Sequence, residues 1–593
     1  MTNPPQGKAV VYQVFTRLFG NKNRTNKPWG SLNENGVGKF ADFNDTALAA
    51  IKTYGTTHVW YTGVPHHALI NEYPGMSSDH PEVVKGRAGS PYAVKDYYNV
   101  NPDLATNPAN RLAEFEALIA RTHQHGMKVI IDIVPNHVAR QYHSTSAPDE
   151  ARDFGADDNT QVEYQRDNNF YYLPNESFAA PDFPEGFEPL GGEFNAELTG
   201  HFIETPAKWT GNGSTLAKPS WDDWFETVKI NYGVTPDGHK EFDQLPADFR
   251  NQDLHAHFEF WQTKNVPNSW LKFRDIALYW LAKGVDGFRF DMAEMVPVEF
   301  WSYLNSAIHH ANPQAEVIAE VYQPNLYRDY LHLGKMNYLY DKVDLYDSLK
   351  GIIQHKAGAH IIDDIQTQLE DIDANLIRFL ENHDEQRIPS PEFAGSAEKA
   401  WPAMVVTALM GQGPTMLYFG QAQGEKAESD LGFGRASRTT IFDYAGVPAH
   451  QDWMNDGLFD GGLLSSEQKA LNEAYQRLLT FSANEASLQG SFYSLHAVNL
   501  SAESSYDDRS YSFVRQHGDE WAIVIVNFDN VPKHYSLVLP AELANGSLKL
   551  EPKAMLTEQI NGANHQQPLL HSTDNQFKLN ISCPAYGALV YKR

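Results

Sequence analysis

Four short segments end apolar, strand-like runs in residues that carry charge or exchange protons. In Gly287-Phe288-Arg289-Phe290-Asp291 a guanidinium and a carboxylate stand two residues apart, so on a strand both point to the same face. A cation beside a carboxylate favours its ionised form. Val317-Ile318-Ala319-Glu320 ends a nearly uncharged run with one acid, and Phe379-Leu380-Glu381-Asn382-His383-Asp384 ends in a dense polar set. Val129-Ile130-Ile131-Asp132-Ile133-Val134-Pro135-Asn136-His137 adds a second histidine. Two facing carboxylates, one ionised and one protonated, can cleave a glycosidic bond. At a separation of about 5–5.5 Å one attacks the sugar carbon, the other protonates the departing oxygen, and the anomeric configuration is retained. A third carboxylate can stabilise the positive ring, and histidines can donate to hydroxyls. Each acid taken alone reads equally as a salt-bridge partner or a loop cap. Together, at strand ends, they form a candidate site.

Such a site needs elements that bring distant strand ends together. Eight β-rich apolar runs recur, at residues 10–15, 57–64, 128–135, 287–293, 316–322, 338–347, 375–384 and 413–421. Amphipathic stretches separate them; those at 111–125 and 270–283 show three-to-four residue apolar spacing and stop at Gly126 and Gly284. Eight such units predict an α/β fold, a closed (β/α)8 TIM barrel, whose strand C-termini converge on one mouth. An open doubly wound sheet is the alternative. The step from the third run to the fourth is far longer than that from the fourth to the fifth, so residues 138–258 are read as an inserted subdomain. After a last helix near 465–484, alternating runs at 511–515, 521–528, 534–539 and 587–591 predict a C-terminal antiparallel β-sandwich domain. The expected division is 1–137 with 259–485 for the barrel, 138–258 for the insertion and 486–593 for the β-domain.

Composition narrows the function. The 593 residues carry 47 Lys+Arg against 75 Asp+Glu, a formal charge of −28, and no basic cluster stands out, which argues against nucleic acid and anionic membranes as partners. The single cysteine, Cys583, rules out multi-cysteine metal sites and an internal disulfide; in its strand-like setting it reads as a buried apolar residue. No apolar signal core opens the chain and no long apolar run crosses it, so the default expectation is a cytoplasmic location, or a secreted or periplasmic one if a signal has been trimmed.

The motifs that carry this chemistry also carry a resemblance. Asp132-Ile133-Val134-Pro135-Asn136-His137, Gly287-Phe288-Arg289-Phe290-Asp291, Ile318-Ala319-Glu320-Val321 and Glu381-Asn382-His383-Asp384 resemble, in order, the four sequence blocks of the α-amylase superfamily, glycoside hydrolase family 13. The insertion is similar to that family's domain B and the terminal region to its domain C. The resemblance implies Asp291 as nucleophile, Glu320 as general acid/base and Asp384 as transition-state stabiliser. It implies substrate contacts at Tyr92, Asp132, His137, Arg289 and His383, and at Arg387 and Arg438 beyond the seventh and eighth strands. Where many members carry Lys-His after the nucleophile, this chain has Glu294-Met295, which removes one sugar contact and one calcium ligand. Asn136 is the only calcium candidate, so a structural calcium is possible but no cofactor is required. Asn35-Gly36-Val37-Gly38-Lys39-Phe40 is similar to a metal loop of related glucosidases, with Lys39 where a carboxylate would bind. Ala93 follows Tyr92 where many exo-acting glucosidases place an Asp.

The expected activity is a retaining hydrolase of α-1,4 bonds in starch or maltooligosaccharides. The same machinery on the same fold also serves transglycosylases, sugar isomerases such as trehalose synthase, and α-glucosidases; a silent glucan-binding protein is the non-enzymatic alternative. Linear sequence leaves the oligomeric state and the choice of acceptor open.

Overall fold

The computed structural model describes residues 7–193, 200–433, 436–502, 505–551, 553–562, 566–571 and 577–593. Eight parallel strands form its central sheet: β1 Val10–Phe15, β2 His58–Thr62, β3 Lys128–Ile133, β4 Gly287–Phe290, β5 Glu316–Ala319, β6 Tyr338–Tyr340, β7 Leu376–Ile377 and β8 Thr415–Tyr418. Each pairs with its sequence neighbour, β1 also pairs with β8, and a parallel bridge between Arg378 and Thr415 joins β7 to β8. The barrel therefore closes and the open-sheet alternative falls. All eight predicted runs are present, but β6 and β7 are much shorter than 338–347 and 375–384 suggested. After Tyr340 the chain turns into a helical segment, Lys342–Tyr346, because Asp341 accepts the Leu345 N–H and starts a helical turn.

Close strand approach is written into two glycines. A Cβ at Gly287 would meet the Glu316 carbonyl oxygen at 2.0 Å, and one at Gly413 the Leu376 carbonyl oxygen at 2.1 Å. Around the barrel, helices α1 Arg111–Gln124, α3 Asn268–Ala282, α4 Val298–Ala311 and α5 Ser466–Asn484 follow the apolar spacing. Helix α2, Leu254–Gln262, packs on α4 and straddles residue 258, so the chain rejoins the barrel layer slightly earlier than the sequence reading placed it. Its first turn is fixed by the Asp253 carboxylate, which accepts the Ala256 N–H at 2.9 Å.

Between β3 and β4 the chain forms short two-stranded pairs, His137–Ala139 with Thr227–Lys229 and Tyr172–Leu173 with Ala207–Lys208. The first pair places this segment directly after the β3 mouth residues. Towards the C-terminus a six-stranded antiparallel sheet runs in the order Ser491–Ser494 (β9), Ser510–His517 (β10), Glu520–Asn527 (β11), Ala588–Lys592, Met555–Glu558 and Gln566–Pro568. A three-stranded sheet, Lys533–Leu539, Phe577–Cys583 and Leu570–His571, shares an apolar core with it that includes the buried Cys583. Among the described residues no helix is long and apolar enough to cross a membrane.

The seam between β6, β7 and β8 is held by a buried ion triad. Arg378, 1 % exposed, pairs with Asp341 at 2.8 Å and Asp373 at 2.9 Å. Removing one member of such a group strands the remaining charges in a low-dielectric interior. Arg378→Ala should therefore lower unfolding stability by about 3–5 kcal/mol in chemical denaturation. A loss below about 1 kcal/mol would contradict this role for the triad.

Candidate active site

Backbone pairing delivers the predicted acids to one mouth. Asp291 N–H donates to Ile133 O at 3.0 Å and Glu320 N–H to Phe290 O at 3.1 Å, so each acid stands one step past the last strand residue. Register places Arg289 beside Asp132 on β3 and Ile318 on β5. Phe290 faces the other way and packs against Trp301 of α4 at 4.6 Å between ring centroids. That alternation points Arg289 into the barrel axis.

Arg289 is 0 % exposed and surrounded by three carboxylates and a phenol. Nη1 donates to Asp291 Oδ1 at 2.7 Å and lies 3.5 Å from Asp132 Oδ1; Nη2 is ion-paired with Glu320 Oε2 at 2.9 Å; Nε donates to the Tyr340 hydroxyl at 3.2 Å. Through these contacts the guanidinium grips the carboxylates. Asp132, 3 % exposed, accepts from Trp60 Nε1 at 2.9 Å.

Asp291 and Glu320 are 7 % and 3 % exposed. Burial, then the charge of Glu320, pushes the Asp291 carboxyl well above the usual carboxylate range, while Arg289 pulls it down. The sequence argument that a neighbouring arginine keeps Asp291 ionised is thus incomplete, because one guanidinium is shared among three acids and burial opposes it. Glu320 is fixed twice more. Met292 N–H donates to Oε2 at 2.8 Å, with Met292 in the left-handed region at φ 45°, and the Tyr322 hydroxyl donates to Oε1 at 2.5 Å.

Asp384 completes the set through His383. Gln13 Nε2 donates to His383 Nδ1 at 2.8 Å, which leaves the ring proton on Nε2, 3.0 Å from Asp384 Oδ2. Burial and then Arg289 hold His383 neutral by lowering its pKa well below the ordinary value. Tyr92 stacks on His383 at 5.2 Å and bonds Nε2 through its hydroxyl. Burial, then Glu320, raises Asp384 to about 7. His137 is buried, tilted against Trp224 at 5.2 Å, and lowered to about 3 by burial first and by Lys229 and Lys85 next.

The Asp384 side opens into a cleft of about 520 Å³ lined by His383, Trp221, Trp224, Phe433 and the exposed Arg438. A second hollow of about 390 Å³ lies on the Glu294 side, lined by Met295, Val298, Leu326 and Tyr171. Arg387 lines neither. It is 0 % exposed, donates to Glu381 at 2.7 Å, Phe419 O at 2.8 Å and Thr439 at 2.8 Å, and lies over Tyr418. The resemblance implied a substrate contact here; the side chain turns inward and pairs with Glu381.

A model of the α-amylase catalytic domain matches residues 13–454. The chain belongs to the α-amylase family. It is 22 % identical over 446 residues to a cyclomaltodextrin glucanotransferase of Paenibacillus macerans, covering 71 % of this chain and 50 % of that protein. With neopullulanase 2 of Thermoactinomyces vulgaris it shares 22 % identity over 587 residues, 96 % of this chain and 77 % of the relative. The chain thus spans only half the length of the first of these relatives. An α-amylase structure from Geobacillus thermoleovorans, complexed with acarbose, superposes with a TM-score of 0.60 at 17 % identity over 99 % and 98 % of the two chains, which speaks to fold.

Within the family frame, the departures acquire structural reasons. Glu294 Oε2 accepts the N–H groups of Tyr322 and Gln323 at 2.9 and 3.1 Å, tying the loop after β4 to the loop that carries Glu320. Asn136, the calcium candidate, is 0 % exposed; its amide nitrogen donates to Gly211 O at 2.8 Å and its oxygen accepts from the Lys229 ammonium. A cation already stands on the only side-chain oxygen offered, so these residues do not fit calcium. Lys39 similarly donates to Asp103 O at 2.6 Å. Tyr322 was missed by the sequence reading although it lies two residues beyond Glu320, the spacing that returns a strand side chain to the same face.

The pH profile tests these electrostatics. Asp384 is raised, so its ionised form is lost on acidification earlier than for an ordinary aspartate. If that form is needed, kcat/KM falls below an inflection near 7. An acid limb below about pH 5 would contradict the arrangement.

Proposed function

We propose that the protein is a retaining α-glucan hydrolase acting on α-1,4 bonds of starch-type chains or maltooligosaccharides. The observation that carries the reading is the shared guanidinium, with Arg289 Nη1 at 2.7 Å from Asp291 and Nη2 at 2.9 Å from Glu320. Acids held on adjacent nitrogens of one rigid fork favour the short separation of a retaining pair over the water-sized gap of an inverting one. Asp291 attacks the anomeric carbon, Glu320 delivers its proton to the leaving oxygen, and Asp384 faces the developing positive charge. Water, activated by Glu320 as base, then releases the sugar. The glycone occupies the cleft lined by His383, Asp384 and Arg438, and the leaving group the hollow beside Met295.

The relatives' names support the substrate class, since an α-amylase, a neopullulanase and a cyclomaltodextrin glucanotransferase are among them. They span hydrolysis and transfer, and the apolar lining of the second hollow favours transfer to a bound sugar as the second reading. The proposed reaction needs no metal, a reading supported by Lys229 on Asn136.

Chromatography of products from maltoheptaose, with and without added glucose, separates the readings. Hydrolysis predicts shorter maltooligosaccharides only, and products longer than the substrate would move the assignment to transfer. Asp291→Asn should keep the fold by circular dichroism while turnover falls by roughly three or more orders of magnitude. Near-normal turnover in that variant would refute the nucleophile.

A further inference from the structure

A carboxyl that acts as an acid carries its proton on one of two oxygens, and the surroundings of Glu320 treat those oxygens differently. Oε2 accepts the Met292 N–H at 2.8 Å and lies 2.9 Å from Arg289 Nη2. A backbone N–H and a guanidinium only donate, so a proton on Oε2 would confront further hydrogens with no acceptor between them. Oε1 faces the Tyr322 hydroxyl at 2.5 Å. A hydroxyl both donates and accepts, so of these three neighbours it alone suits the protonated acid and the ionised one.

Tyr322 is itself held at both ends. Its backbone N–H donates to Glu294 Oε2 at 2.9 Å, and its half-buried ring returns to Glu320 beside the Tyr340 ring, 6.4 Å between centroids. Burial and then the charge of Glu320 push the phenol well above its ordinary pKa, so the hydroxyl keeps its own proton. It can order the acid but not replace it. The other groups that face Glu320 are Asp132 from β3, Arg289 and Asp291 from β4 and its end, Tyr340 from β6 and Asp384 beyond β7. Among them only Tyr340 carries a hydroxyl, and that one accepts from Arg289 Nε.

We propose that Tyr322 is a positioning residue for the acid/base: its hydroxyl assigns the transferable proton to Oε1 and steadies the carboxylate left when that proton departs. The inference rests on the retaining mechanism given above. In the free site the Oε1 proton rests on the Tyr322 oxygen. In the first step the Oε1–H bond breaks as the proton passes to the leaving oxygen, which takes the electron pair of the glycosidic bond while Asp291 bonds to the anomeric carbon. The hydroxyl rotates and donates to Oε1, a bond that strengthens as negative charge develops there. In the second step water bonds to that carbon, Asp291 departs as a carboxylate and the water proton returns to Oε1.

Tyr322→Phe removes the hydroxyl alone, and circular dichroism checks that the fold is kept. The test is kcat/KM on aryl α-maltosides graded in phenol acidity and on maltoheptaose, whose sugar leaving group needs protonation most. The loss should grow along the series and reach at least about tenfold on maltoheptaose. The alkaline limb of the profile, which follows the protonated acid, should move to higher pH in the variant, because a hydrogen bond to the ionised form is gone. Equal losses across the series, no loss on maltoheptaose, or an unmoved alkaline limb would each overturn the role. Products longer than maltoheptaose together with the graded loss would shift the reading to transfer yet uphold Tyr322, since the proton is delivered before any acceptor arrives. A parent chain that cleaves none of these substrates would overturn both.

Discussion

A fully buried guanidinium is the constraint around which this molecule is arranged. Arg289 stands at the barrel axis with no exposure, and such a charge is tolerable only when its surroundings replace water. Three strands supply that replacement: Asp132 from β3, Asp291 just past β4 and Glu320 just past β5, with the Tyr340 hydroxyl closing the circle from β6. The requirement runs both ways. The cation needs the acids, and the acids, forced together in a dry site, need the cation. A shift of register by one residue would turn Arg289 outward and leave both sides uncompensated.

The compensation is incomplete, and the shortfall carries the chemistry. One positive charge faces three carboxylates, with Asp384 a fourth nearby, so burial raises Asp291 and Asp384 although Arg289 pulls both down. Neutral His383 and His137 add no further charge. In the proposed reaction a substrate that becomes cationic as its bond breaks supplies the missing positive charge, so the site favours the transition state over the ground state. Stability and activity are opposed here, as expected of preorganised sites.

The barrel and its acids were legible because both follow from period. Strands alternate, helices repeat near 3.6, and an acid that ends an apolar strand has only the mouth to occupy. Side-chain direction after the strand was less legible. Arg387 lies close to His383 in sequence but turns to Glu381, and the Arg289 fork spans two acids from different strands. Lys229 comes from a strand that pairs with the His137 segment, a long-range contact that no local pattern announces, and its ammonium sits on the Asn136 side-chain oxygen. Glu294 looked like the loss of a family contact, yet it anchors the loop behind Glu320 through two backbone N–H groups.

The central claim is that Arg289 holds Asp291 as nucleophile against one anomeric carbon. Incubation with a fluorinated glycosyl fluoride that traps the glycosyl–enzyme, followed by peptide mapping in a mass spectrometer, tests it most directly. A single added sugar is expected on the peptide carrying Asp291, with greatly slowed labelling in Arg289→Lys. A label on Glu320 or Asp384, or labelling at the parent rate without the guanidinium, would contradict it.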